Sequence, residues 1–305
     1  MLKNVFCTLL LLGTMWAQSS APAKKSSANE DVLWQKLSNR ITRIANQTDG
    51  VVAVSIVDLT SGRELALNAD HVLATASSIK IAVLAELYRQ SQQGGPGKAK
   101  LDDTYVVNQA DLVPDSYIMG GLTPGTTRLT NRDLATMMIA VSDNSATNIL
   151  IDHVGMANVN AMLDSYGFSH IRLQRKMMDI AAAKQGRENV GSPREFTRML
   201  AALYNGKLLN KSLTDDFFKV LSTPKESWIP RLLPADLQIA NKPGSLDGLR
   251  NDVGIVFVKN RPFAIAIMTG YLKNGTKGEA AISRIAREAY DHFNALAINS
   301  EYGRH

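Results

Sequence analysis

The strand-forming sequence of this chain is confined to its two ends. Val51 to Leu59 (VVAVSIVDL) is β-branched and strand-like, Thr60-Ser61-Gly62 turns, and Glu64 to Leu67 resume an extended pattern, so a hairpin is expected. The other strand-like stretches are Gly254 to Val258 and Phe263 to Thr269, with Asn260-Arg261-Pro262 turning between them. Strands so far apart share a sheet only if the chain returns to where it began. The expected class is α+β: an antiparallel sheet flanked by helices, formed from both chain ends, with an all-helical domain inserted. In residues, 30–76 plus 226–300 are expected to build the sheet domain and 77–225 the helical one.

Helical spacing supports that division. Val32, Leu33, Leu37, Ile41 and Ile44 recur on one face of Glu30 to Asn46, and a final amphipathic helix covers about Ala280 to Leu296. Ser77 to Gln90 is apolar almost all round, which marks a buried helix, and Gly94-Gly95-Pro96-Gly97 breaks it. Thr130 with Asp133 resembles a capping box opening a helix through Ile139. Asn144 to Val154 gives another helix, stopped by Gly155. Ser192-Pro193-Arg194-Glu195 starts a third, which runs through Leu203. Arg175 to Asn189 is polar and weakly periodic, a long loop of the functional or mobile kind.

Composition removes several classes. With 34 Lys+Arg against 28 Asp+Glu and no basic block longer than a pair, nothing argues for nucleic acid as a partner. The single cysteine, Cys7, excludes a disulfide framework and a Cys-based zinc site. It lies in an apolar stretch from Val5 to Trp16, preceded by Lys3 and followed by Ala17, the layout of a secretory signal. That stretch is shorter than the ~20 residues that span a bilayer, although an uncleaved anchor is the alternative. Residues 1–17 are thus expected to be removed near Ala17, leaving 18–29 as a linker on a periplasmic or secreted protein with no membrane contact. The histidines (His71, His153, His170, His292 and His305) show no ligand spacing, so neither metal nor other cofactor is expected.

The chemistry-bearing pattern is Ser77-Ser78-Ile79-Lys80. Residues three apart share a helix face, so Lys80 can reach the Ser77 hydroxyl, and burial lowers a lysine's pKa until a neutral amine can take the serine proton. Alone the pattern is weak, and a second copy stands at Ser222 to Lys225. There Pro224 precedes the lysine and no apolar helix follows, so it reads as a loop. The first copy is followed, in order, by Ser142-Asp143-Asn144 at a helix junction and by Lys242-Pro243-Gly244 ahead of the C-terminal strand pair.

These three elements, in this order, resemble the class A serine β-lactamases and their penicillin-binding relatives. The likeness runs from about Asp31 to Asn294 and includes Val54 to Leu59 and Leu129 to Leu134. It implies that Ser77 is the acylated nucleophile, Lys80 its partner base and Ser142 the proton relay to the departing nitrogen. Asn144 would hold the substrate's amide side chain and Lys242 would attract its carboxylate. The N–H groups of Ser77 and Ser245, beside Gly244, would form the oxyanion hole. Asn148 matches an asparagine that supports the catalytic loop, or is a plain helix-surface amide. The substrate would be a small β-lactam or a cell-wall peptide, and nothing demands more than a monomer.

Two departures leave the reading open. Pro243 replaces the family's Thr or Ser and removes a hydroxyl donor to the carboxylate; Arg250 is the candidate substitute, or else a solvated arginine. Where the family has a Glu two residues after the loop Arg, this chain has Met177 after Arg175, and Met cannot accept a proton. Asp179 is the nearest carboxylate and the candidate base for the deacylating water, unless it is solvated or in an ion pair. Glu188 is expected to pair with Arg175. Three readings follow: a β-lactamase, a penicillin-binding D,D-peptidase-like or other serine acyl-hydrolase with slow deacylation, or a non-catalytic binder.

Overall fold

The structure, a computed structural model, describes residues 28–300 and 302–305; the expected signal and all but the end of the expected linker lie outside the described residues. The elements are, in order, α1 (Ala28–Asn46), β1 (Val51–Asp58), β2 (Glu64–Leu67), β3 (Leu73–Ala74), α2 (Lys80–Gln93), β4 (Thr104–Val106), β5 (Arg128–Thr130), α3 (Asn131–Ala140), α4 (Asn144–Val154), α5 (Met156–Ser165), α6 (Ile180–Lys184), β6 (Val190–Gly191), α7 (Pro193–Tyr204), α8 (Lys211–Leu221), β7 (Ile239–Leu246), β8 (Leu249–Val256), β9 (Phe263–Gly270) and α9 (Gly275–Ile298). A one-turn 3-10 helix, Ala76–Ile79, precedes α2 and carries Ser77.

One antiparallel sheet in the order β2-β1-β9-β8-β7 joins the two ends, with β1 paired to β9 from Val51↔Gly270 to Asp58↔Phe263. β9 is central and buried along its whole length. Its alternation sorts the two cores: Phe263, Ile265 and Ile267 face the layer of α1 and α9, whereas Ala264, Ala266 and Met268 face the helices from the middle of the chain. α7, although it lies within 77–225, packs on β1 and β9. Ser55 of β1 hydrogen-bonds Thr197 of α7 at 2.7 Å.

The local signals decide most boundaries. Thr130 and Asp133 form the reciprocal capping box of α3, and Ser192 caps α7 with Pro193 at its first turn. Helices α5, α6 and α8, strand β7 and the short strands β3 to β6 are additional to the sequence expectation. β7 is hidden because Pro243-Gly244 looks like a turn. It is an edge strand, where a missing ladder donor is tolerated.

The ends meet on the outer face. Trp34 of α1 packs edge-on against His292 and Phe293 of α9, and Arg40 pairs with Glu288. Burial, and then the nearby Arg261 and Arg63 charges, push the His292 imidazole down to about 4, with Asp58 opposing. The unfolded chain therefore takes up a proton near pH 6.5 that the folded chain refuses until about pH 4. Stability should be lost as the pH falls through that window. His292→Phe is expected to flatten this acid limb, read by urea unfolding at several pH values; an unchanged limb would exclude His292 as its source.

Candidate active site

The site is assembled where the 3-10 turn of Ser77, the α3–α4 junction and edge strand β7 converge. Lys80, the first residue of α2, is fully buried. Its Nζ donates to the Ser142 carbonyl at 2.6 Å, to Ser142 Oγ at 2.9 Å and to Asn144 Oδ1 at 3.0 Å. Ser142 Oγ donates in turn to Ser77 Oγ at 2.9 Å. Among the described residues Lys80 has no direct hydrogen bond to Ser77; the two are joined through Ser142. The expected direct i, i+3 contact is thus replaced by a relay through Ser142.

The turn and the junction are both held in unusual backbone. Ala76 has φ +46° and Ser142 φ +59°, a left-handed region that costs a non-glycine residue about 1–2 kcal/mol. Asp143, buried beside Ser142, anchors the junction. Its carboxylate accepts from Ala146 N at the start of α4 and from the N–H groups of Ile118 and Met119. Those last two contacts fasten the loop that carries Tyr117, which is 76% exposed. In the sequence Asp143 lies inside the Ser142-Asp143-Asn144 element without a role of its own, and Tyr117 does not stand out.

β7 lies flush against the nucleophile turn. A Cβ at Gly244 would come within 2.6 Å of the Thr75 carbonyl oxygen and 2.9 Å of Ser77 N, so only glycine fits there. Ser245 follows it on the exposed end of the strand.

Lys242 is buried on the same strand, and its Nζ donates to the Pro243 carbonyl at 3.1 Å. Burial and then the charge of Lys225 pull its ammonium down to about 7, with Asp252 opposing. Lys225, the lysine of the second Ser-x-x-Lys, is brought down to about 8, chiefly by burial. Its stretch is a loop as expected, but the loop sets it in the field of Lys242. Burial first, then Lys242, holds Lys80 well below the usual lysine range. Among the described residues none of the three lysines has a salt-bridge partner.

Two expectations are corrected. Arg250 does not reach the cleft. It is paired in register with Ser245, on the sheet face of Asp252, and its Nε donates to Glu279 of α9 at 3.1 Å. Its guanidinium also caps the carbonyls of Leu246 and Leu249. The next residue, Asn251, has the cleft-facing parity. Asp179 is exposed and serves as the N-cap of α6, its Oδ1 accepting from Ala182 N at 2.9 Å; it makes no hydrogen bond to Ser77, Lys80 or Ser142. Local turn chemistry claims that carboxylate.

The loop is otherwise as read. Arg175 donates through Nε and Nη2 to Glu188, each at 3.0 Å. Asn148 grips the Met177 main chain on both sides, accepting from its N–H at 2.8 Å and donating to its carbonyl at 3.0 Å. Met177 itself is buried in the core. The position clasped to α4 thus presents a thioether where proton transfer would need a base. No group of three or more His, Cys, Asp or Glu side chains suited to a metal ion occurs among the described residues.

The family model described as the beta-lactamase enzyme family matches residues 36–293. The chain belongs to that family. Among its relatives, β-lactamase SME-1 of Serratia marcescens is 27% identical over 83% of this chain and 88% of its own length. The carbapenem-hydrolyzing β-lactamase KPC of Klebsiella oxytoca is 29% identical over 83% and 86%. A crystal structure of the Sphaerobacter thermophilus β-lactamase superposes with a TM-score of 0.76 at 30% identity, covering 85% of this chain and 97% of its own. PBP-A, 22% identical with a TM-score of 0.76, shares the fold.

The coupling of Lys225 and Lys242 is directly measurable. Lys225→Met removes a positive neighbour, so the Lys242 ammonium should be easier to keep and its titration midpoint should rise. The 13Cε shift of labelled lysine reads the midpoint; no movement would mean that the two charges are not coupled.

Proposed function

We propose that the chain hydrolyses the β-lactam amide through an acyl-enzyme on Ser77, with deacylation as the slow step. The line of hydrogen bonds from Lys80 through Ser142 to Ser77 is the observation that supports it. Burial holds Lys80 well below the usual lysine range. Once the amine is neutral the two hydroxyls turn, Ser77 Oγ–H donating to Ser142 Oγ and Ser142 Oγ–H to Lys80 Nζ, and the amine takes the Ser77 proton along that line. Ser77 Oγ attacks the lactam carbonyl, whose oxygen takes the N–H groups of Ser77 and Ser245. When the C–N bond breaks, the nitrogen receives a proton from Ser142, which Lys80 replenishes. Asn144 holds the substrate's amide side chain. Lys242, with Lys225 beside it, supplies the positive field for the substrate carboxylate.

Deacylation has no comparable equipment. Met177 cannot activate a water, and Asp179 is committed to its helix cap, so Lys80 is the remaining base. That combination favours a second reading, a penicillin-binding acyl-transferase whose natural acyl donor is a cell-wall peptide. The relatives' names span both: KPC is named for carbapenem hydrolysis, while a mutant of PBP-A has been seen as an acyl-enzyme complex with penicillin G. Either way the protein would act as a monomer without a cofactor, exported by residues 1–17. No helix among the described residues is long and apolar enough to cross a membrane.

Intact-mass spectrometry with benzylpenicillin, beside turnover of a chromogenic cephalosporin, separates the readings. The expected outcome is an adduct that builds within the first turnover and decays with slow steady hydrolysis. An adduct that never decays would establish the acyl-transferase; neither adduct nor turnover from folded protein would remove both. Ser77→Ala should abolish the adduct and Ser222→Ala should not. Met177→Glu should speed adduct decay at least about ten-fold by supplying a base at the clasped position. Asp179→Asn should leave decay unchanged and soften α6 by about 1 kcal/mol at most.

A further inference from the structure

The base of the 172–190 loop and the turn that carries Ser77 are tied to each other through one residue, Asn189, which is 1% exposed. Its side chain faces the loop. Oδ1 accepts from the N–H groups of Gln174 at 2.7 Å and Arg175 at 3.1 Å, and Nδ2 donates to the Arg175 carbonyl at 3.1 Å. Its own N–H donates to Glu188 Oε1 at 2.8 Å, the carboxylate that also holds the Arg175 guanidinium. These contacts fix the orientation of the Asn189 backbone.

The carbonyl of the same residue faces the nucleophile. It accepts from Thr75 N at 2.9 Å and from Thr75 Oγ1 at 3.1 Å. Thr75 is fully buried, and its hydroxyl also lies 3.3 Å from the Ala76 carbonyl. Ala76, with its positive φ, and then Ser77 follow directly. On the sheet side, Asn251 Nδ2 donates to the Ala74 carbonyl at 2.8 Å, and Ser78 Oγ donates to the Lys242 carbonyl at 3.3 Å. The turn is therefore clamped from the sheet and from the loop. The loop-side clamp is the Asn189 carbonyl, joined by the short pairing of β3 with β6.

We propose that Asn189 is a positioning residue for Ser77, transmitting closure of the loop base to the nucleophile turn so that the rate of acylation depends on the loop. The inference rests on Ser77 being the acylated residue. A strained turn keeps its geometry only while its surroundings over-determine it. Freeing the Asn189 side chain lets its carbonyl rotate away from two buried donors on Thr75, and Ser77 N and Oγ then lose their fixed relation to Ser142 and Gly244. Binding before the chemical step uses groups on β7 and α4 and is little affected.

Three variants test this in rapid-quench mass spectrometry with benzylpenicillin, which yields the non-covalent Kd and the acylation rate constant at saturation. Thr75→Val removes the hydroxyl with little change of shape, Thr75→Ser retains it, and Asn189→Ala removes the clasp while leaving the carbonyl. Thr75→Val and Asn189→Ala should each slow acylation at least about ten-fold with Kd within about three-fold, and Thr75→Ser should stay within about two-fold of the parent. The double variant should lose less than the product of the single losses, because both changes release the same contact. Folded variants that acylate at the parental rate, or whose whole effect lies in Kd, would overturn the proposal. If Asn189→Ala does not fold, the Thr75→Val and Thr75→Ser pair decides. A parent protein that forms no Ser77 adduct would bring down the acyl-enzyme reading with it; a parent that acylates beside unaffected variants would bring down the positioning role alone.

Discussion

Taking Lys80 out of water is the constraint on which the rest of the cleft depends. An ammonium in a dry site is unfavourable unless oxygen acceptors surround it, and three are provided: the carbonyl and hydroxyl of Ser142 and the amide oxygen of Asn144. Each provision has its own support. Ser142 turns its oxygens inward through a left-handed backbone, and Asp143 locks that junction to α4 and to the Tyr117 loop. The same burial that demands acceptors holds the lysine well below its usual pKa range. Desolvation, rather than any carboxylate partner, thus makes Lys80 useful.

The motif residues were legible because each lies next to a local signal: Ser77 and Lys80 at the head of an apolar helix, Ser142 and Asn144 at a helix junction, and Arg175 and Glu188 at the two ends of one loop. The sheet was legible from its β-branched ends. Arg250 was misread because β7 was not visible as a strand. With Lys242-Pro243-Gly244 placed ahead of the strands rather than on one, there was no parity to count along β8, and one residue decides which face a side chain occupies. Lys225 and Asn189 carry no pattern of their own. Their importance lies in what the folded chain sets beside them, Lys242 for one and Thr75 for the other. Asp179 had the right chemistry at nearly the right place, but a carboxylate directly ahead of a helix is taken by the backbone donors of its first turn.

The loop itself combines two designs. Its frame is closed by Arg175 and Glu188 and clasped by Asn148. Its content at Met177 is that of a core residue, packed into the apolar cluster. The frame therefore positions the backbone without delivering a proton acceptor. In the proposed reaction, acylation and deacylation would share Ser77, Ser142 and Lys80 but be served by very unequal surroundings.

The pairing of β1 with β9 also sets an order of events. The first strand to be made finds its central neighbour only when nearly all of the chain exists, and β7, which brings Lys242 to Ser77, comes little earlier. Such long-range closure is slow, since the loop entropy is lost before the contacts form. Until then the middle helices lack the face of Ala264, Ala266 and Met268 against which they pack. The cleft is therefore among the last features that the growing chain can complete.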